Sequence, residues 1–352
     1  MSLPDVLARL PLRIEGYELE RLQRDVSSDF TRVSTHIRLH GDGEEGIGED
    51  VTYDAEDQDV LQEAGPVQPL DGKWTLDAFC DHVATLDLWP RPALRPPSVL
   101  YRRWAYESAA LDLALRQNGM SLHEALGREP RPVNFVVSLR LGEPPTMGPI
   151  EERLARYPTL KFKLDPVSGW DEELIAALVA TGAVDSVDFK GMYVGTVVDQ
   201  PADPLLYRRV VEAFPDAWIE DPKLTPETEA VLADVHDRIT WDAIIHTVDD
   251  VKALPFAPKM INVKPSRAGG LRPLFELNQY CEEHGIQRYG GGQFELGVGR
   301  GQIQYLASIF HPDTPNDVAP GGYNDPEQAT KPGLPTSPLE PAIEEIGFRW
   351  KL

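Results

Sequence analysis

Short apolar runs, most of them closing on a charged residue, recur along the second part of the chain: VNFVVSLRL, LKFKLD, SVDFKG, AWIEDP, ITWDAII, MINVKP, QRYGGGQFE and NDVAP. Runs this short and this rich in β-branched and aromatic residues read as strands buried on both faces. Between them, apolar residues recur at helical spacing, as in WDEELIAALVATG, PLLYRRVVEAF, PETEAVLADVH and LRPLFELNQYCEEHG. Eight strands alternating with helical crossovers predict an α/β fold, a parallel (β/α) barrel rather than an open sheet. The span from 133 to 325 is compact for a barrel usually of about 250 residues, so some helices are expected to be short or missing.

The texture before residue 130 differs. RIEGYELERL and FTRVSTHIRLHG alternate like antiparallel strands, GDGEEGIGED supplies turn glycines, and RRWAYESAALDLALRQNG reads as a helix ended by Gly119. REPRPV (128–133) has two prolines and no apolar period, which sets a boundary. The expected organisation is an α+β domain over 1–130, the barrel over 131–325, and a segment over 326–352. That segment is proline-rich, ends in a strand-like IGFRW, and is expected to pack back on the first domain.

In a parallel barrel the loops at the carboxyl ends of the strands build the active site, so charged residues at strand ends carry functional weight. Here they run Lys161 and Lys163, Asp188, Glu220, Asp242 and Lys264. The steps from Lys163 are 25, 32, 22 and 22 residues, each close to one βα unit, so each charge falls on the next strand. Lys161 and Lys163, two apart, are expected to share the inward face. Asp188, Glu220 and Asp242 would raise one another's pKa if left together unpaired, and a divalent cation removes that cost. Oxygen-only ligands point to Mg²⁺, and Mn²⁺ would also fit. A carboxylate substrate held on such an ion becomes a stronger carbon acid at its α-position, and a partly desolvated lysine beside it is a candidate base.

Composition narrows the partners. The chain has 352 residues, 41% of them hydrophobic, enough for a large core, and a formal net charge of -23 from 34 basic and 57 acidic side chains. That charge would repel nucleic acid and anionic membranes, and no apolar run reaches the ~18 residues of a membrane span. The expected setting is the cytoplasm and the expected partner a small carboxylate. The two cysteines, Cys80 and Cys281, form no CxxC pair and read as buried thiols.

These residues resemble the enolase superfamily, and within it the muconate-lactonizing-enzyme-like subgroup. The resemblance covers most of the chain. It is carried by Lys161-x-Lys163, the strand-end Asp188, the Glu-Asp-Pro of Glu220 to Pro222, Asp242, and Lys264 followed by Gly269 and Gly270, with GIGED and AYESAALDLALRQNGMSLHEALG in the first domain. It implies a modified TIM (β/α) barrel under an α+β capping domain that the C-terminal segment completes. It also implies Mg²⁺ on Asp188, Glu220 and Asp242, with Lys163 and Lys264 as bases on opposite faces of the substrate and Lys161 neutralising its carboxylate. Oligomeric state varies in this family, and homo-oligomers are compatible with the sequence. Lys190 stands where the subgroup commonly has Asn. It points the same way as Asp188 by strand periodicity, and reads either as a binder of a second anionic group or as a partner that weakens the metal site. In the resemblance Glu295 sits behind the strand-six lysine as a substrate-side partner.

The implied reaction is abstraction of the α-proton through a metal-stabilised enolate. The strand-eight segment has Asp317 but lacks the Asp-x-Asp pair that family members use to hold a dipeptide amine, so β-elimination of the o-succinylbenzoate-synthase type is the expected outcome. Racemisation or epimerisation, and cycloisomerisation, are the alternatives within the family, and a non-catalytic binding barrel is the alternative outside it. Specificity is expected in the loops at 26–32 and 50–57.

Overall fold

A computed structural model describes residues 3–26, 30–196, 198–327 and 329–351. Of the two expected specificity loops, the one at 26–32 includes residues 27–29, which lie outside the described residues.

The first domain is built on an antiparallel meander, β2 (Gly16–Val26), β3 (Phe30–Gly41) and β4 (Glu44–Asp50), beside a small ladder of β1 (Pro11–Ile14) with β5 (Gly72–Thr75). Helices α1 (Asp5–Ala8), α2 (Ala55–Ala64), α3 (Leu76–Thr85), α4 (Ser98–Gln117) and α5 (Leu122–Leu126) accompany it. The long helix read from the sequence is α4, which stops before Gly119, a left-handed residue with φ 65°. The glycines of GIGED do not make a turn. A Cβ on Gly46 would come within 2.3 Å of the Ala109 carbonyl oxygen, and one on Gly48 within 2.0 Å of that of Ala105, so these glycines let β4 lie directly on α4. The turn itself is made by Asp42 and Gly43, both at positive φ.

The second domain is a curled sheet of seven parallel strands in sequential order: β6 (Val137–Leu139), β7 (Phe162–Leu164), β8 (Val184–Asp188), β9 (Trp218–Glu220), β10 (Ile239–Trp241), β11 (Met260–Val263) and β12 (Gln287–Gly290). Helices α6 (Gly148–Arg156), α7 (Glu172–Thr181), α8 (Pro204–Ala213), α9 (Pro226–Leu232), α10 (Val248–Lys252), α11 (Pro265–Ala268), α12 (Leu271–His284) and α13 (Val298–Phe310) fill the connections. Several are short, as the compact span requires. α7 and α8 are started by Asp171 and Asp203, whose carboxylates accept the first free backbone N–H groups. Cys80 and Cys281 are buried and free.

Seven strands form the sheet, where eight were expected. NDVAP contributes isolated bridges, Asn316 to Phe135 and Asp317 to Gly291, which join the two edges and close the ring. Asn316 does most of this joining: its Oδ1 accepts from the Gly290 N–H at 2.6 Å, while its Nδ2 donates to Asn134 O at 3.0 Å. With a side chain satisfying the backbone of both edges, no regular ladder is needed. Beyond the barrel, Leu339 bridges Val133, and the Phe348 N–H and Arg349 side chain bind Asp112 of α4 at 2.8 and 2.7 Å. Asp112 is fully buried and also accepts the Ile47 N–H of β4 at 3.0 Å, so one carboxylate ties helix, strand and C-terminal segment together. Among the described residues no helix is long and apolar enough to cross a membrane.

His311 lies at the closing seam, with Nδ1 2.6 Å from Asn316 Oδ1. Burial, helped by the nearby Arg288 charge, lowers its pKa to about 3. The unfolded chain takes up this proton near pH 6.5, so the neutral ring's contribution is complete above that pH and is lost as pH falls toward the folded value. We expect the loss of unfolding free energy between pH 7 and pH 4 to be smaller in His311→Gln than in the wild type by roughly 3 kcal/mol. Urea unfolding at the two pH values checks this, and equal losses in the two proteins would refute it.

Candidate active site

The barrel strands are so short that their last residues pass straight into the carboxyl-end loops, and four of them deliver carboxylates there. Asp188 and Glu220 close β8 and β9, Asp242 follows β10, and Asp165 follows β7. Asp188 and Glu220 are inaccessible to solvent and Asp242 nearly so. Burying them side by side is tolerable because cations from neighbouring elements reach each one.

Lys163, on β7, is 2% exposed. Its ammonium pairs with Glu220 and lies 3.3 Å from Asp188 Oδ2 and 3.5 Å from Asp317 Oδ2. Burial works against its charge, but Glu220, Asp188 and Asp317 outweigh it and hold its pKa well above the usual lysine value. Lys264, following β11, donates to Asp242 Oδ2 at 2.7 Å, and Arg267 of α11 binds the other oxygen. Here burial prevails: with the Arg267 charge adding to it, the Lys264 pKa is lowered despite the pull of Asp242. Lys190 pairs with Asp188 and stands 3.7 Å from Asp165 Oδ1.

Lys161 is not part of this group. It precedes the first residue of β7, is exposed, and donates to Gly182 O at 2.6 Å, behind the end of α7. A residue two positions earlier on so short a strand falls at the opposite end of the barrel, so sharing periodicity with Lys163 does not bring it to the mouth. The residue two positions later does arrive there: Asp165 is 9% exposed and accepts from Arg140 Nε at 3.1 Å. Burial raises its pKa.

The carboxylates divide by environment. Glu220 is pushed well up by burial and by Asp188, whereas Asp188, though buried, is held low by Lys190 and Lys163. Asp242 is likewise held low, with Arg267 and Lys264 overcoming its burial. Asp221 rises to about 7 through burial and the charges of Asp242 and Asp188. Asp188, Glu220 and Asp221 can each place an oxygen within 4.8 Å of the others. Asp221, however, already accepts the backbone N–H groups of Asp242 and Ala243, both at 2.8 Å. The Asp242 carboxylate is drawn toward Lys264, Arg267 and the Tyr193 hydroxyl, 2.8 Å away. An all-carboxylate donor set with repulsion still visible in the raised Glu220 suits a hard divalent cation.

Glu295 lies 3.0 Å from Arg300 and accepts the Gln293 N–H at 2.5 Å, inside the glycine-rich loop after β12. A Cβ on Gly291 would come within 2.5 Å of the Lys264 side chain. That glycine therefore makes the room in which the lysine lies. Arg267, Tyr193, Arg140, Asp165 and Tyr289, whose hydroxyl binds Glu220, were not singled out from the sequence. For Asp165 the signal was present, since inward positions on β7 must alternate and it follows Lys163 by two.

Two family models match the chain. One described as "Domain of unknown function (DUF8230) N-terminal domain" covers residues 5–125, and its counterpart, the DUF8230 C-terminal domain, covers 129–325. An o-succinylbenzoate synthase of Bacillus subtilis (strain 168) is 28% identical over 243 residues, which is 60% of this chain but only 57% of that relative. An N-succinylamino acid racemase of Thermus thermophilus is 26% identical over 361 residues, 96% of this chain and 94% of the relative. Two solved structures share the fold at low identity. A dipeptide epimerase from Enterococcus faecalis V583 has a TM-score of 0.70 and 16% identity, covering 96% of this chain and 99% of its own. The muconate lactonizing enzyme from Pseudomonas putida has a TM-score of 0.66 and 19% identity, covering 96% of both.

Removing the Lys163 ammonium leaves Glu220 without a cation in the barrel and Asp188 with Lys190 alone. Lys163→Met should lower unfolding free energy in chelator by about 3–5 kcal/mol. Lys161→Met should change it by no more than about 0.5 kcal/mol. Denaturant titrations of both variants test the placement, and similar costs would contradict it.

Proposed function

We propose that this chain, which belongs to the DUF8230 family and to the enolase superfamily in its muconate-lactonizing-enzyme-like subgroup, removes the proton α to a carboxylate of a small organic acid and then expels a β-substituent. The observation that carries this reading is the buried series Asp188, Glu220 and Asp242 from three consecutive strands, ending beside Lys264, a lysine whose pKa burial lowers. Asp188, Glu220 and Asp242 would hold Mg²⁺, or Mn²⁺ through the same oxygens. Such an ion, when bound, stabilises the negative charge that builds on the substrate carboxylate, by several kcal/mol.

The chain's own groups supply the rest. Lys264 takes the α-proton: its lowered pKa raises the neutral fraction at physiological pH, and Gly291 leaves its side chain space to approach. Asp242 and Arg267 fix where its Nζ lies. Lys190 meets a second anionic group of the substrate. Lys163 holds the ligand carboxylates ionised. Overhead, Arg32 of β3 donates to Gln293 O at 3.1 Å and Phe294 O at 3.3 Å, so the cap closes the loop after β12 over the site and limits water.

Elimination is favoured because the closing segment offers Asp317 alone where a substrate amine would need a pair of carboxylates. Racemisation of N-acylated amino acids is the second reading, supported by the alignment of the racemase relative along 96% of the chain.

Adding Mg²⁺ to chelator-treated protein should raise its unfolding temperature, and Asp242→Asn should remove that increment. In D₂O, α-hydrogen exchange of one enantiomer of an N-succinyl amino acid, the one whose α-proton faces Lys264, should fall at least about 100-fold in Lys264→Ala. Unfolding temperatures indifferent to Mg²⁺, together with an absence of exchange, would leave a binding barrel as the better account.

A further inference from the structure

Lys264 has an uncharged polar neighbour inside the barrel. Asn262 stands two residues earlier, on β11, in Cα register with Tyr289 of β12. The backbone stays extended to Lys264 itself, φ -99° and ψ 116°, and a step of two along extended chain returns to the same face. The Asn262 amide therefore lies one inward position below Lys264, and the residue is 1% exposed. Gly291, at the end of β12, shows how the two side chains meet. The point that a Cβ on Gly291 would occupy is 2.5 Å from Lys264 Cε, 2.9 Å from Asn262 Nδ2 and 3.0 Å from Asn262 Oδ1. The end of the lysine and the whole amide converge on one spot, which the glycine leaves open.

Among the described residues neither Nδ2 nor Oδ1 of Asn262 has a hydrogen-bond partner, although both atoms are buried. The fold gives up the hydration of a donor and an acceptor there with no internal return, a loss that a leucine of similar shape would avoid. An orphan amide set against a base fits a partner that arrives only during the reaction. Lysine chemistry supplies one. A neutral lysine amine carries two N–H groups and one lone pair, and the lone pair stays on a substrate C–H only while acceptors hold the N–H groups. Once it takes the proton it is an ammonium with three N–H groups. An amide oxygen accepts from both forms, and because it does not ionise it offers that acceptor whatever the neighbouring carboxylates bind.

We infer that Asn262 is a positioning residue for Lys264. A turn about the Cδ–Cε bond of the lysine brings Nζ to Asn262 Oδ1, which holds one N–H of the amine with its lone pair toward the substrate and then holds the ammonium that forms. The inference rests on the α-proton reaction proposed above, in which the α C–H bond breaks, its electron pair stays with carbon and the proton bonds to Lys264 Nζ.

The test follows α-hydrogen exchange by proton NMR in D₂O with Mg²⁺, on the enantiomer of N-succinylphenylalanine that Lys264→Ala slows. Asn262→Leu should lower kcat for this exchange by about tenfold and keep KM within about twofold, since the amide holds the base and not the substrate. In the Lys264→Ala background the same substitution should change exchange by less than about twofold, because no lysine is left to position. The unfolding temperature of Asn262→Leu should equal or exceed that of the wild type and still rise with Mg²⁺, which separates loss of positioning from loss of fold. Asn262→Ala, which asks for no added space, should repeat the kinetic loss. An equal loss in both backgrounds, or exchange unchanged in Asn262→Leu and Asn262→Ala, would overturn the positioning role and leave the α-proton reaction standing. Absence of exchange in the wild type would overturn both.

Discussion

The barrel mouth depends on one constraint: carboxylates removed from water must each meet a cation or, as Asp221 does, backbone N–H donors, or the strands that carry them cannot come together. Lys163 is where this is most acute, an ammonium at 2% exposure shared among Glu220, Asp188 and Asp317. Breaking a buried pair from one side costs far more than the pair contributes when whole, because an uncompensated charge stays behind. The remaining charges follow the same rule in sequence around the ring: Lys190 for Asp188 and Asp165, then Lys264 and Arg267 for Asp242. A chain with a net charge of -23 thus concentrates several of its 34 basic residues at a single point. The same pairing sets the two lysines apart electrostatically. Lys163 is held charged by its neighbours, whereas burial and Arg267 push Lys264 toward the neutral form a base requires.

Much of this was legible in the sequence because strand-end position and charge order survive without knowledge of contacts. The α/β alternation, the capping helix ending before Gly119, and the placement of Asp188, Glu220 and Asp242 at successive strand ends all follow from local pattern. Lys161 shows where pattern runs out. Periodicity of two says which face a side chain takes, but the height along the barrel axis decides which end it reaches, and β7 begins only at Phe162. For the same reason Asp165 was passed over, although LKFKLD contains it. Arg267 and Tyr193 could not be found this way at all, because they come from a short helical turn and a loop whose paths are set by the residues they bind. The glycines of GIGED were misread as a turn because a sequence shows conformational freedom more readily than the absence of a Cβ between a strand and a helix.

Closure of the ring illustrates a related point. NDVAP reads as a strand, and its backbone does lie between the two edges, yet it makes bridges rather than a ladder. Asn316 takes over the missing hydrogen bonds with its side chain, reaching Gly290 on one side and Asn134 on the other. A local propensity argument counts strands, whereas closure needs only that edge N–H and C=O groups find partners.

The coupling between cap and barrel follows from which groups bind the glycine-rich loop after β12. Glu49 at the end of β4 accepts the N–H groups of Leu296 at 2.7 Å, Gly297 at 3.0 Å and Gly299 at 2.9 Å. Arg32, fully buried on β3, holds the carbonyls of Gln293 and Phe294. Both strands belong to the cap, and both partners are main chain, so the loop's course is dictated by the cap whatever its side chains are. Gly291 and Glu295 lie in that loop, and Gly291 sets the space around Lys264. A displacement of β3 and β4 would therefore reach the wall beside the Lys264 side chain through the hydrogen bonds that the Arg32 and Glu49 side chains make to the loop's main chain. In this architecture the domain expected to choose the substrate is also mechanically joined to the wall beside Lys264, so under the proposed function specificity and proton abstraction would be two consequences of one set of contacts.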